Sequence, residues 1–99
     1  MDLIKLHEIK QYALEQMEKW DLIAQGWSFV WDTRAVRRYG QCRYRQREIG
    51  ITKVLANLNT IEETKDVVLH EIAHALTGPG HGHDFVWKRM CRKVGARPE

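Results

Sequence analysis

Apolar residues at Leu3, Leu6, Ile9, Ala13, Met17 and Trp20 recur at steps of three and four, the spacing of one helix face. The pattern predicts an amphipathic helix over about 3–19, with Asp2 as its N-cap. Gly26 then breaks the period. Trp27-Ser28-Phe29-Val30-Trp31 is aromatic and β-branched and reads as a strand. Tyr39-Gly40 marks a turn, and Cys42 to Gln46 and Glu48 to Thr52 read as two further strands joined as a hairpin. A small antiparallel sheet of about three strands is expected. Thr60 with Glu63 has the capping-box spacing, so a second helix should open near 61 and bury Val68, Leu69, Ile72, Ala73 and Leu76. Gly78-Pro79-Gly80 stops it. A third helix should start near Asp84 and end by Gly95, with Phe85, Met90 and Val94 as its apolar stripe. Helix, sheet and then two helices, segregated in this way, make an α+β fold.

The 99 residues suit one small domain, 1–99, with no linker, repeat or low-complexity stretch. Its 43% hydrophobic and 29% charged residues are those of a folded, soluble chain. No apolar run nears the roughly 18 residues of a membrane span. The start, Met1-Asp2-Leu3-Ile4-Lys5, lacks the features of a secretory signal, so a cytoplasmic or nucleoid-associated protein is expected, not a secreted one. Cys42 and Cys91 stand far apart, which excludes a disulfide scaffold or a zinc ribbon. Trp20, Trp27, Trp31 and Trp87 are expected to anchor the core.

Charge is sorted along the chain. Residues 34–47 hold Arg34, Arg37, Arg38, Arg43, Arg45 and Arg47 and no acid, while 85–99 hold Lys88, Arg89, Arg92, Lys93 and Arg97 against Glu99. Brought to one face, the two blocks would attract a phosphate backbone; a solvated surface is the plainer reading. Arg37, Arg38, Arg43, Arg45 and Arg47, interleaved with Tyr39 and Tyr44, are the candidate contacts to single-stranded or double-stranded DNA.

The chemistry centres on His70-Glu71-Ile72-Ala73-His74, an H-E-x-x-H pattern inside the second predicted helix. Residues four apart on a helix lie on one face about 5–6 Å apart, so both imidazoles can reach one ion. Glu71 is rotated about 100° from His70, which sets it beside the ion as a base rather than on it as a ligand. Left without an ion, the cluster would put costly polar groups at the core edge. A catalytic zinc takes three protein ligands and keeps one position open. Downstream of His74 the usable groups are His81, His83, Asp84, Cys91 and Glu99. The turn at Gly78-Pro79-Gly80 can return His81 beneath the helix, and His83 would then point away. Asp84 suits a helix cap or an outer hydrogen bond to a ligand imidazole. Thr77 and Gly80 stand where a metzincin needs Gly and His, so that pattern does not fit.

His70-Glu71-x-x-His74 followed by His81-Gly82-x-Asp84-Phe85 and a basic helix with Trp87 and Met90 resembles the SprT-like metallopeptidase family, which includes the Spartan-type proteases. Arg38-Tyr39-Gly40-Gln41-Cys42-Arg43-Tyr44 before the strand at Ile49 to Thr52 is similar to that family's approach to its active helix. The resemblance covers about residues 27 to 97 and is carried most specifically by H-E-x-x-H combined with H-G-x-[DE]-[FW]. It implies a zincin-like fold, Zn2+ held by His70, His74 and His81, and Glu71 as catalytic base. It also implies, for Spartan-type members, proteolysis of proteins crosslinked to DNA. The cysteine-rich ribbon that many relatives carry after the peptidase core has no counterpart here.

The expected function is therefore a zinc endopeptidase acting on a protein or peptide substrate, DNA-bound or DNA-crosslinked proteins among them. In it a metal-activated water attacks while Glu71 takes its proton. Tyr44 and His83 are candidates to steady the tetrahedral oxyanion, with structural roles as the alternative. Glu48 to Thr52 is either an edge strand that pairs with substrate or a core strand. The rival function is a non-catalytic, zinc-stabilised DNA- or protein-binding module, in which Glu71 would have no task.

Overall fold

The computed structural model describes residues 2–34 and 37–99. Helix α1 runs Leu3–Lys19, the predicted span, and the Asp2 carboxylate accepts from the Lys5 backbone N–H at 3.0 Å. Its buried residues are Leu6, Ile9, Ala13 and Met17, four of the positions that set the period. Strands β1 (Ser28–Asp32), β2 (Gly40–Arg43) and β3 (Glu48–Thr52) form one sheet in the order β1-β3-β2.

That sheet is mixed, not antiparallel throughout. The hairpin pairs β2 with β3 antiparallel, Gly40 opposite Ile51 and Arg43 opposite Glu48. β1 lies on the other side of β3 and runs parallel to it, Ser28 opposite Glu48 and Asp32 opposite Thr52. The hairpin period says nothing about which edge of β3 a distant strand will take. The chain instead leaves β1 and crosses to the far edge before turning into β2, which makes β3 central. With a neighbour on each side and Ile49, Ile51 and Thr52 almost fully buried, β3 is a core strand and offers no free edge to a substrate.

A side-chain tie fixes this arrangement. Arg43 reaches from β2 across β3 to Asp32 on β1, Nη2 to Oδ1 at 2.6 Å, and also meets Glu48 at 3.4 Å. The guanidinium and carboxylate pass over Gly50, where a Cβ would come within 2.7 Å of Arg43 Nη1 and collide with the Asp32 carboxylate. Gly50 is thus the gap through which the ion pair closes.

A short helix, α2 (Lys53–Leu58), which the periodicity did not mark, leads into α3 (Ile61–Thr77). Thr60 caps α3 by accepting from Glu63 N–H at 3.1 Å, and Glu62 and Glu63 complement the positive end of the helix dipole. Helix α3 packs against α1, β2, β3 and the last helix, α4 (Phe85–Val94), so its length lies along the core. Asp84 caps α4 through the Trp87 N–H, and Gly95 closes it in the left-handed conformation. The face of α4 that enters the core is Trp87, Cys91 and Val94, not Phe85, which is 68% exposed. Trp87 wins that place because its indole also donates Nε1–H to the His70 carbonyl at 3.2 Å, locking α4 onto α3. Trp27 is buried as well, and Trp20 and Trp31 pack partly buried against the core. No helix among the described residues is long and apolar enough to cross a membrane.

Candidate metal centre and general base

His70, Glu71 and His74 all stand on α3, the two histidines one turn apart, as the spacing requires. The β2 backbone comes up against Glu71 at Gly40. A Cβ there would lie 2.8 Å from Val67 Cγ1 and 2.9 and 3.0 Å from Glu71 Cγ and Oε2, so only glycine lets the strand and the carboxyl share the space. Enclosed this way, Glu71 has its pKa pushed up to about 7 by burial, against a smaller pull from the Arg38 charge. Cys42 and Tyr44, on the same side, are each pushed up to about 12, chiefly by burial and further by the Glu71 charge. Both keep their protons at neutral pH, so Cys42 is neither a thiolate nucleophile nor a ready metal ligand.

The imidazoles have different surroundings. His74 is stacked on Trp87 with ring centres 5.0 Å apart and planes 20° apart. Burial, then the neighbouring His83 and His70 charges, push its pKa down to about 4, so it is a neutral nitrogen donor at physiological pH. His70 donates Nε2–H to the Arg97 carbonyl at 2.5 Å and lies 3.2 Å from the Asp66 carboxylate. Asp66 in turn accepts from the Arg97 backbone N–H at 3.0 Å, so one carboxylate holds both the tail and the ring. His81 faces Asp84, Nδ1 to Oδ2 at 3.0 Å, which leaves its Nε2 free. The Trp87 backbone N–H, with His81 adding to it, holds the Asp84 carboxyl below its ordinary range. His83 lies over Trp87 at 4.3 Å and beside His74 at 5.1 Å.

The structure thus brings His83 to His74, with Glu71 three residues before His74 on α3, while His70 and His81 each face a carboxylate. Among the described residues no group of three His, Cys, Asp or Glu side chains converges as a metal site. In chemistry the donors suit a divalent cation of zinc's kind: a neutral His74, a His81 whose second nitrogen is already held by a carboxylate, and a carboxyl alongside. For Nε2 of His70 to join them, the Arg97 carbonyl has to be displaced.

The arginine block divides in the same way. Arg43 is spent on Asp32 and Glu48, and Arg47 donates to the Gln25 carbonyl at 2.5 Å. Arg37, Arg38 and Arg45 are exposed; Ala35 and Val36, inside the block, lie outside the described residues. Sequence reasoning missed three elements of the site: the Gly40 approach to Glu71, the Asp66–Arg97 hold on His70, and the His83–Trp87–His74 stack. Asp66 was legible in principle, since it stands one helical turn before His70. The other two depend on contacts between distant segments.

Compared with known proteins, the chain matches the model of the SprT-like family over residues 6–99, nearly its whole length. No curated protein matches it at a significant level.

Proposed function

The chain belongs to the SprT-like family, a metallopeptidase-like family, and we propose that it is a zinc-dependent endopeptidase. The zinc would be held by His70, His74 and His81, and would supply Lewis acidity toward the scissile carbonyl and the attacking water. The observation that carries the reading is Glu71: a carboxyl packed against Gly40, one residue from His70, with its pKa raised to about 7. A positioned general base contributes roughly 10²–10⁴ in rate. Glu71 takes the proton of the attacking water and returns it to the departing amine. A cation beside it favours the carboxylate and draws its pKa down, keeping Glu71 ionised at neutral pH. Asp84 orients His81 by holding its Nδ1–H, as outer carboxylates do for ligand imidazoles. Tyr44, protonated, has an O–H to offer a developing oxyanion.

Substrates that are bound or crosslinked to DNA suit the exposed Arg37, Arg38 and Arg45. Their contacts with phosphate would weaken as salt rises. One observation favours a second reading, a zinc-stabilised binding module without catalysis: Arg37, Arg38 and Arg45 are exposed and offer a phosphate-binding surface that needs no reaction. Metal analysis paired with digestion of an unfolded protein, with and without DNA, separates the two. The endopeptidase reading expects about one zinc per chain and cleavage that chelation abolishes. Bound zinc with no cleavage under either condition would overturn it in favour of the module.

A further inference from the structure

We propose that the outer face of α4 is a docking groove for an acidic peptide segment that carries large apolar side chains. Helix α4 puts Trp87, Cys91 and Val94 into the core. Val86, Arg89, Met90 and Lys93 follow the i, i+3, i+4, i+7 spacing of a second face. That face lies roughly 100° around the helix axis from the first. Its four residues line an open groove of about 310 Å³. Val86 is 44% exposed, and so to a greater degree is Phe85, one turn before Arg89.

The charge on the helix decides the occupant. From Phe85 to Val94 the chain has no acid and four bases, Lys88, Arg89, Arg92 and Lys93. Lys88 and Arg92 stand four apart, as do Arg89 and Lys93, and like charges at that spacing repel. Arg92 and Lys93 complement the negative end of the helix dipole, but Lys88 and Arg89 lie in its first half and gain nothing from it. Among the described residues none of the four is within ion-pair distance of a carboxylate. An acidic ligand relieves that repulsion, and Val86 and Met90, set between the bases, take up its apolar side chains. Nucleic acid suits the face less. Phosphates have no use for an apolar floor, and Arg89 already lies over the Phe85 ring, 5.6 Å from its centre, where it competes with a stacking base. No groove residue is among the expected zinc ligands, so the inference stands or falls apart from the zinc reading.

The test is fluorescence anisotropy of the full chain with a labelled oligoglutamate peptide holding two leucines four positions apart, and with the same peptide after both leucines are replaced by serine. The leucine peptide should bind at least about tenfold more tightly, since burying one leucine is worth a factor of that size. Val86→Ser should lose about the same factor, and Arg89→Glu combined with Lys93→Glu should abolish binding. All three positions are exposed, so the fold is kept, which circular dichroism checks. Equal binding of the two peptides would reduce the groove to a charged patch and overturn the inference. Wild-type affinity in the charge-reversed variant overturns it too, as does a leucine peptide that does not bind. An oligothymidylate held more tightly than the peptide, through Arg89 and Lys93, would assign the face to nucleic acid instead.

Discussion

Glu71 and the histidines share one short stretch of the fold, yet their surroundings are opposite in kind. Glu71 is set by the fold itself: a glycine on β2 makes room for it, Val67 flanks it, and burial raises its pKa to about 7. Two of the three histidines expected as ligands are set by other polar groups, His70 by the Arg97 carbonyl and Asp66, His81 by Asp84. His74 is stacked flat on Trp87, and burial lowers its pKa to about 4. The base is thus preorganised by packing, which is hard to change, while the ligand side is held by hydrogen bonds that a cation can exchange.

The largest effect is expected at Gly40. Gly40→Val puts side-chain atoms where Val67 and Glu71 now lie, and the flexible Glu71 is what must move. Peptidase activity should fall by the roughly 10²–10⁴ attached to a misplaced general base, with zinc content unchanged. Retained activity would show that Glu71 does not act from the observed position.

The metal-free chain should show two opposing pH dependences. The folded pKa of Glu71 is raised from 4.5 to about 7, so its contribution to stability is fully present below pH 4.5 and is lost as the pH rises toward 7. At about 1.4 kcal/mol per unit that is at most about 3 kcal/mol. His74 does the reverse: its folded pKa is lowered from 6.5 to about 4, so stability is lost as the pH falls from 6.5 toward 4. Between about pH 4.5 and 6.5 the two trends oppose each other. Denaturant melts of Glu71→Gln should therefore lose stability on acidification through that window, and those of His74→Phe should lose it as the pH rises. Identical pH profiles for the two variants would contradict both assignments.

Much of this was legible in the sequence, and the reasons are local. The α1 face, the Thr60 cap of α3, the Gly78 stop and the Asp84 cap are all decided by residues within four positions of each other. His70, Glu71 and His74 are placed by the same helical period. What was not legible depends on residues far apart in sequence. The parallel pairing of β1 with β3 has no period of its own, because it is decided by which edge of the hairpin is free. Arg43 is expected among the DNA contacts, yet it closes an ion pair over Gly50, and nothing local distinguishes it from Arg45. His81 is expected to turn in beneath α3 with His83 pointing away, but it is His81 that turns to Asp84 and His83 that lies over Trp87 beside His74.

The sheet offers a smaller effect that leaves the site alone. Arg43→Ala and Gly50→Ala disrupt the same partly buried pair, so each should cost about 1–3 kcal/mol in chemical denaturation. The double variant should cost little more than either single one, because both remove one interaction. Fully additive losses would mean that Gly50 is needed for a different reason. The smallest effect concerns the ligand side. Asp66→Ala removes the carboxylate that holds Arg97 and His70, so zinc affinity should rise by the few-fold that one hydrogen bond of about 0.5–1.5 kcal/mol represents. A fall in affinity would make Asp66 a support for the metal site rather than a competitor.

The most direct trial of the account compares Glu71→Gln with the wild type, each loaded with zinc and offered the same unfolded protein. Equal zinc content with cleavage by the wild type alone is what the proposed chemistry predicts. Cleavage by Glu71→Gln at the wild-type rate would contradict it.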